Sequence, residues 1–355
     1  MPITEPTAET PSRWSPTSTL LTAGIAVVIV AGSWWMLGQL ASVLRPLLLA
    51  IFLGYVLMPY YGRLRKKVPA PVAIGLIVGL TTAFLTGLAL AVYGSLLGLN
   101  DDLPVFKTIF SKRIQDTMTW LSELPFIGKH FSGTDLPEAE FSGAITRLSQ
   151  DVVLIAGGGL LEAATAGLYL FFLLLESANF PKRVRAAYPE EQAEHIMNVF
   201  GRINSAIISY LKAKFISSMV LAIPVGLLLY GFGVRFALLW AVLTFLCNFI
   251  PYIGSVVAVA LPLGLAFLQF DIGWRFGMLT VILLLCHVVC ATVLEPTIIG
   301  RAVGLSPIVI LAALSIWGLL WGLPGMFLAV PLTMVVKIVC ENIEATRPIA
   351  KLLSG

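Results

Sequence analysis

The residues with the clearest chemical potential lie where two long apolar stretches of the chain are interrupted. The stretches cover residues 238–270 and 308–339, and the interruptions fall at 248–254 and 317–325. Proline and glycine at an interruption leave backbone amides and carbonyls without intrahelical partners. The N-terminus of a half-helix then favours anionic or hydroxyl-rich solutes. Neutral side chains beside the breaks either join a binding site or satisfy the broken backbone internally: Asn248, Tyr252, Ser255 and Thr333.

Ionisable residues inside or at the ends of apolar segments are further candidates, because a charge at membrane depth is costly. Glu162 lies inside an apolar segment, where it either carries a proton or cation or is hydrogen-bonded between helices. Glu295 ends another apolar segment, and a turn at Pro296 and Gly300 can bring its carboxylate to Arg301. That predicted pair is either a gate or a structural ion pair.

Signatures of an enzyme or a metal site are missing from the sequence. It contains no His-Glu-x-x-His, no phosphate loop and no Gly-rich dinucleotide turn. Cys286, His287 and Cys290 are close in sequence, but they have no fourth ligand and neighbouring helix positions face different sides. His287 either forms a catalytic dyad with Ser255 or is a hydrogen-bonded interior histidine. We prefer the interior histidine. The sequence therefore predicts no enzyme, no cofactor and no metal.

The composition indicates a membrane protein. Of 355 residues, 58% are apolar and 12% are charged, against about 25% charged residues in soluble domains. The net charge of +4 is too small and too scattered for nucleic-acid binding. Each half of an interrupted stretch has about 13 to 18 residues, whereas a helix needs roughly 20 to cross the bilayer. Paired discontinuous segments are typical of transporter binding sites, so we expect the chain to move a solute across a membrane.

The hydropathy pattern predicts an all-α polytopic membrane protein with about six full spans and two broken or re-entrant hairpins. Oblique crossing by each half-helix gives eight or more spans instead. Because Lys and Arg are retained in the cytoplasm, the basic links and both termini are expected inside. An amphipathic helix that includes Phe106 and Ile109 is expected to lie on the bilayer or on neighbouring subunits, with solute capture as the alternative. The predicted segments are a disordered cytoplasmic tail 1–19, three spans within 20–99, an extracytoplasmic amphipathic region 100–150, a fourth span 151–176, a basic cytoplasmic helical region 177–214, a transport core 215–345 and a cytoplasmic tail 346–355.

The two interrupted stretches also resemble each other. The segment PYIGSVVAVALPL at 251–263 and the segment PGMFLAVPL at 324–332 both end in Ala-Val followed closely by Pro-Leu. Hairpins that enter from opposite faces of the bilayer would form an inverted repeat, as in many secondary transporters.

The C-terminal half contains a series of short motifs in a specific order and spacing. They are Tyr210-Leu211 with Lys214 and Ser217, Asn-Phe-Ile-Pro-Tyr-Ile-Gly at 248–254, Leu294-Glu295-Pro296, Gly300, Leu305-Ser306-Pro307, Trp317-Gly318, Gly325-Met326, Leu-Ala-Val-Pro-Leu-Thr at 328–333, and Lys337. Together these motifs resemble the autoinducer-2 exporter family of bacterial permeases. The first of them resembles the version in the branch named for quorum-signal transport.

The resemblance implies a bacterial inner-membrane protein, a homo-oligomer (a pentamer), that exports a small polar metabolite such as autoinducer-2. A monovalent cation (sodium)/proton antiporter is the alternative, because some members resemble such antiporters, and a non-transport membrane scaffold is a third possibility. The expected partners are thus the lipid bilayer and a small polar solute, with a proton or sodium. The motif positions carried over, without assigning which of them contact solute, are Asn248, Pro251, Gly254, Glu295, Gly300, Pro307, Trp317, Gly325 and Pro331.

Overall fold

The computed structural model describes residues 16–122, 161–177, 179–271, 273–299 and 304–355, which are almost entirely helical. Two short irregular segments, a π-helical segment at Cys290–Leu294 and a 3-10 turn at Glu344–Thr346, lie between the α-helices. In chain order the helices are α1 (Pro16–Gln39), α2 (Ala41–Leu64), α3 (Ala70–Ser122), α4 (Leu161–Ser177), α5 (Phe180–Ala187), α6 (Glu190–Gly231), α7 (Ala237–Cys247), α8 (Ile253–Gln269), α9 (Trp274–Val289), α10 (Glu295–Ile299), α11 (Pro307–Trp321), α12 (Leu323–Asn342) and α13 (Arg347–Leu353).

Within the described ranges, five helical stretches are long and apolar enough to cross a bilayer, and they lie in α2, α3, α6, α9–α10 and α12. The consecutive helices α4 and α5, bent by 58°, form a sixth candidate. Shorter apolar helices comprise the second half of α1 together with α7, α8 and α11. Large apolar side chains stay exposed, such as Leu80 at 70% and Leu227 at 66%, and such a surface requires lipid around it. The predicted all-α, polytopic membrane fold is confirmed.

Helices α2, α3 and α4 share one apolar core. Its buried members include Ala50 and Tyr61 of α2, Ile74 of α3 and Leu170 of α4. A Cβ at Gly54 of α2 would lie 3.5 Å from the Leu170 side chain, so α2 and α4 pack closely through a small residue, as membrane helices commonly do. These three helices form a packed unit ahead of α6.

Helix α3 is much longer than a membrane span, since its 53 residues extend about 80 Å at 1.5 Å per residue. The amphipathic stretch predicted as a surface helix is the last part of this helix. Phe106 does not lie on lipid or on a neighbouring subunit, because it is 5% exposed and packs in one core with Leu221 of α6 and Leu265 of α8. Further along α3, Arg113 pairs with Asp271 at 3.2 Å. The rest of the predicted amphipathic region, 123–150, lies outside the described residues.

Polar contacts anchor two helical hairpins near opposite ends of α6. The first hairpin is α7–α8, and its last residue is held where Gln269 Nε2 donates to the Gly233 carbonyl at 2.6 Å, just beyond the end of α6. The second hairpin is α11–α12, and its last turn is held where Arg202 of α6 pairs with Glu341 at 2.6 Å. From Arg202 to its last residue, Gly231, α6 rises about 44 Å at 1.5 Å per residue, so the two anchors lie near opposite ends of this helix. The hairpins therefore approach the middle of α6 from different ends.

Candidate functional site

The first hairpin breaks between Cys247 and Ile253, inside the predicted interruption. Tyr252 adopts φ 63° and ψ −60°, and the Ile253 amide donates to the Pro251 carbonyl at 2.7 Å. This is a γ-turn of the rare, strained hand. A Cβ on Gly254 would lie 1.7 Å from the Cys247 carbonyl oxygen, so only glycine lets α8 start this close to the end of α7.

The second hairpin breaks at a single residue, Gly322, with φ 67° and ψ −143°. Trp317 lies inside α11, so the break is narrower than the predicted interruption, and α12 has 20 residues where at most 18 were expected. A Cβ on Gly325 would lie 1.9 Å from the Trp317 carbonyl oxygen. Both hairpins thus use a glycine just after the break to pack against a carbonyl of the preceding helix. That shared geometry supports the predicted repeat.

The two hairpins meet. The Phe249 ring, at the tip of the first hairpin, stacks on Phe327 of α12 with centroids 4.7 Å apart and planes at 26°. Phe52 of α2 meets the same Phe327 ring edge-on at 5.4 Å. Ile250 shares a buried cluster with Leu314 of α11 and with α12. Phe249 and Ile250 of the first tip therefore pack against α2 and the second hairpin, whereas Tyr252 is 53% exposed.

A buried polar network lies against the first break. The Lys214 side chain of α6 is 3% exposed, and its Nζ pairs with the Glu295 carboxylate and donates to the Asn248 carbonyl at 3.0 Å. The Asn248 side-chain Nδ2 donates to Ser217 Oγ at 3.2 Å and to Ser218 Oγ at 3.0 Å. Asn248 is therefore bound through both its backbone and its side chain. The broken end of α7 is held on α6 by these hydrogen bonds and by the edge-on contact of the Phe215 and Phe245 rings, whose centroids are 5.5 Å apart.

The charges in this network compensate each other. An isolated ammonium at membrane depth is costly, and an opposite charge with additional hydrogen bonds offsets that cost. Glu295 supplies the opposite charge, and its side chain is 26% exposed. The network therefore presents no net charge, with Lys214 enclosed and Glu295 partly open.

The π-helical segment positions Glu295. Eight residues separate it from His287, which in a regular α-helix at 100° per residue turns the two about 80° apart. A π-turn accommodates one more residue than an α-turn, which returns Glu295 to within about 20° of the His287 face. Cys290, within the π segment, is also buried on this side at 2% exposure. Because of the π-helical segment, the Glu295 carboxylate lies on the same face of the helix as the buried apolar residues of α9.

The structure distributes the other predicted site residues around this network. Arg301 lies outside the described residues, and Glu295 pairs with Lys214, 81 positions away in the sequence. Glu162 pairs with Arg45 at 3.8 Å, which links α4 to α2 apart from the network. The Thr333 hydroxyl donates to the Ala329 carbonyl of its own helix at 2.7 Å. Four other predicted residues make none of the network's hydrogen bonds. They are Pro307 at the start of α11, Pro331 inside α12, and Tyr252 and Ser255 beside the first break.

Sequence reasoning missed some members of this region. Ser218 accepts the second hydrogen bond from the Asn248 side chain. Only its position next to Ser217 of the motif could have suggested this role. Thr244 is another such member, buried at 0% exposure. His287 is interior as expected, at 6% exposure. Neither of its ring nitrogens has a partner in the described part of the chain, so its hydrogen bond stays a prediction.

Long apolar helices together with two broken helical hairpins around a neutralised ion pair are typical of one class of protein, the multi-pass transporters and permeases. Comparison with known proteins places the chain within that class. Residues 24–345 match the model of the AI-2E family transporters, so the chain belongs to the AI-2E transporter family.

Curated relatives cover nearly the whole chain. The protein YhhT of Escherichia coli (strain K12) is 32% identical over 336 residues, which are 94% of this chain and 93% of YhhT. The AI-2 transport protein TqsA of the same strain is 30% identical over 335 residues, 93% of this chain and 94% of TqsA. The protein PerM, also of that strain, is 28% identical over 338 residues, 89% of this chain and 91% of PerM.

Proposed function

We propose that this protein is a secondary transporter or permease that exports a small, polar, hydroxylated metabolite of the autoinducer-2 kind. The observation that carries this proposal is the buried contact of Lys214 with the Asn248 carbonyl, at the break of a membrane helix. Irregular backbone at membrane depth persists where protein encloses it or where it lines a cavity. Here it is enclosed by polar side chains that a hydroxylated solute could replace.

The relatives and the charge balance support the choice of solute. TqsA, which matches 93% of this chain, is named as an AI-2 transport protein. Lys214 and Glu295 cancel each other, and the remaining groups that hold the break are the neutral side chains of Asn248, Ser217 and Ser218. Neutral donors and acceptors suit solute hydroxyl groups.

The proposal includes an orientation and an assembly. Both termini lie in the cytoplasm of a bacterium, the protein sits in the inner membrane, and the first hairpin enters from outside while the second enters from inside. This orientation follows from the basic links. The hairpins move against α2, α3 and α4, and the protein works as a homo-oligomer, a pentamer by resemblance.

Proteoliposomes that contain only the purified chain test the function, with labelled autoinducer-2 as the probe. In the proposed site the solute takes the place of Ser217 and Ser218 on the Asn248 side chain. Asn248→Ala then removes two hydrogen bonds to the solute, each worth about 1 kcal/mol, so we expect solute affinity to fall roughly 30-fold. Thr333→Val, which removes a hydroxyl bound within its own helix, is the comparison variant. Ser315→Ala removes a similar but exposed intrahelical hydroxyl and is the control. Unchanged uptake and affinity in both Asn248→Ala and Thr333→Val would refute the assignment of the site to the broken helices.

A monovalent cation/proton antiporter is the second candidate function, favoured by the carboxylate of Glu295 at membrane depth. Glu162 is the other carboxylate considered for this role, and it is already paired with Arg45. Replacing both by Gln abolishes sodium-driven proton movement if this candidate is correct, while retained movement excludes it. A membrane scaffold without transport is disfavoured by any solute-stimulated flux through the purified chain.

A further inference from the structure

Three buried side chains around the network have hydrogen-bonding atoms that bind nothing. Among the described residues, the Tyr210 hydroxyl, the Thr244 hydroxyl and both ring nitrogens of His287 have no partner. The exposed fractions of these residues are 1%, 0% and 6%. Buried polar groups are nearly always hydrogen-bonded, and an unpaired one destabilises the state that buries it. Three such groups on neighbouring helices therefore require an explanation.

Their positions relate to the network in a regular way. Tyr210 lies one helical turn before Lys214 on α6, and Thr244 lies one turn before Asn248 on α7, whose amide donates to the Thr244 carbonyl at 3.0 Å. A turn is about 6 Å for four residues. Because α6 and α7 are joined by a short loop and run antiparallel, Tyr210 and Thr244 fall on opposite sides of the Lys214–Asn248 contact.

His287 lies on the same side of that contact as Thr244. It precedes Glu295 by eight residues, about 12 Å along the helix. Helix α9 also runs antiparallel to α6, since Glu295 meets Lys214 while Arg275, in the first turn of α9, donates to the Phe232 carbonyl just beyond the end of α6. The unpartnered groups therefore extend the buried polar network along α6, α7 and α9, on both sides of the ion pair.

We infer that Tyr210, Thr244 and His287 are successive solute-binding groups along the transport path, and that this path takes a neutral, polyhydroxylated solute. About 18 Å along the helices separates Tyr210 from His287, so a small solute meets these groups in turn. The inference rests on the proposed function. Each hydroxyl both donates and accepts a hydrogen bond, and a neutral imidazole has one donor and one acceptor. Solute hydroxyls match this mixture, whereas a carboxylate needs only donors and a metal cation needs only acceptors.

The present arrangement is the closed one, because protein encloses all three groups. Helices α6 and α7 approach each other closely near the loop that joins them, where a Cβ on Gly226 would lie 2.7 Å from that of Ala241. When the tip of α7 leaves α6, it releases Asn248 from the serines and opens Thr244 to solute. The unpaired groups favour that opening, because a bound solute satisfies them and the closed state does not.

The test uses counterflow in proteoliposomes with three labelled probes: autoinducer-2, erythritol as a neutral polyol, and erythronate as its carboxylate counterpart. The variants Tyr210→Phe, Thr244→Val and His287→Phe each remove the unpaired polar atoms and nearly conserve side-chain shape. We expect the half-saturation concentration for the neutral probes to rise about tenfold in each, as for a lost hydrogen bond. The melting temperature of each variant should stay unchanged or rise, which a purely structural role would not produce. Ser315→Ala is the matched control.

Each result is decisive. Preference of the wild type for the neutral probes, with weakened affinity in the variants, supports the inference. Normal transport of neutral probes by all three variants overturns the inference and leaves the proposed function standing. A wild type that moves erythronate in preference, or moves no neutral probe, overturns the inference together with the proposed function.

Discussion

The Lys214–Glu295 pair offers the sharpest energetic test of the structure. Glu295→Gln leaves an ammonium whose side chain is only 3% exposed, and loss of one partner from a buried pair costs about 3–5 kcal/mol. Lys214→Met leaves a carboxylate that is 26% exposed and partly solvated, so we expect a cost near the lower limit, about 3 kcal/mol. The double variant retains no unpaired charge. It should therefore lose less stability than either single variant.

The free energy of unfolding is measured by SDS titration of the purified protein, followed by the fluorescence of its 8 tryptophans. Glu176 and Arg183 supply a matched control, since their ion pair is 54% and 69% exposed. Glu176→Gln should cost at most about 1 kcal/mol. If the free energy of unfolding lost in the double variant of Lys214 and Glu295 equals the sum of the losses in the two single variants, the two residues do not form a buried, coupled pair.

Two further predictions concern the hairpin tips. Gly254→Ala and Gly325→Ala place a Cβ 1.7 and 1.9 Å from a backbone carbonyl oxygen, so each should lower the melting temperature and abolish flux. Gly264→Ala is the control, because no atom lies within 4 Å of its Cβ, and it should be neutral or stabilising. Equal behaviour of the three variants in thermal and flux assays would contradict the close approach. A double-mutant cycle of Phe249→Ala and Phe327→Ala should give a coupling of about 0.5–1.5 kcal/mol in SDS unfolding, and additive losses would show that the hairpins do not meet there.

The sequence predicted the parts of the fold that depend on local composition. Long apolar runs determine membrane helices, and Pro251 and Gly322 interrupt them through backbone effects that act within a few residues. The two breaks and the all-α membrane fold follow from such local features. The extent of the second break did not, because Trp317 and Gly318 remain compatible with a helix until Gly322.

The partners in the site could not be read from the chain. The Lys214–Glu295 contact joins residues 81 positions apart, and no helical period relates them. A nearby arginine was the expected partner of Glu295 because proximity in sequence was the only guide available. The π-helical segment, which turns Glu295 onto the His287 face, has no composition that distinguishes it from the helix before it.

The turn at Tyr252 has a consequence for the balance between conformations of the first hairpin. A non-glycine residue held in such a sparsely populated region costs of order 1–3 kcal/mol. A second conformation in which Tyr252 returns to negative φ recovers that energy, and 1–3 kcal/mol corresponds to a change of about 5- to 150-fold in an equilibrium. The strain at Tyr252 therefore favours the conformation in which the tip of the first hairpin has left α6. Glycine adopts this turn without strain, so Tyr252→Gly should increase the population of the closed form.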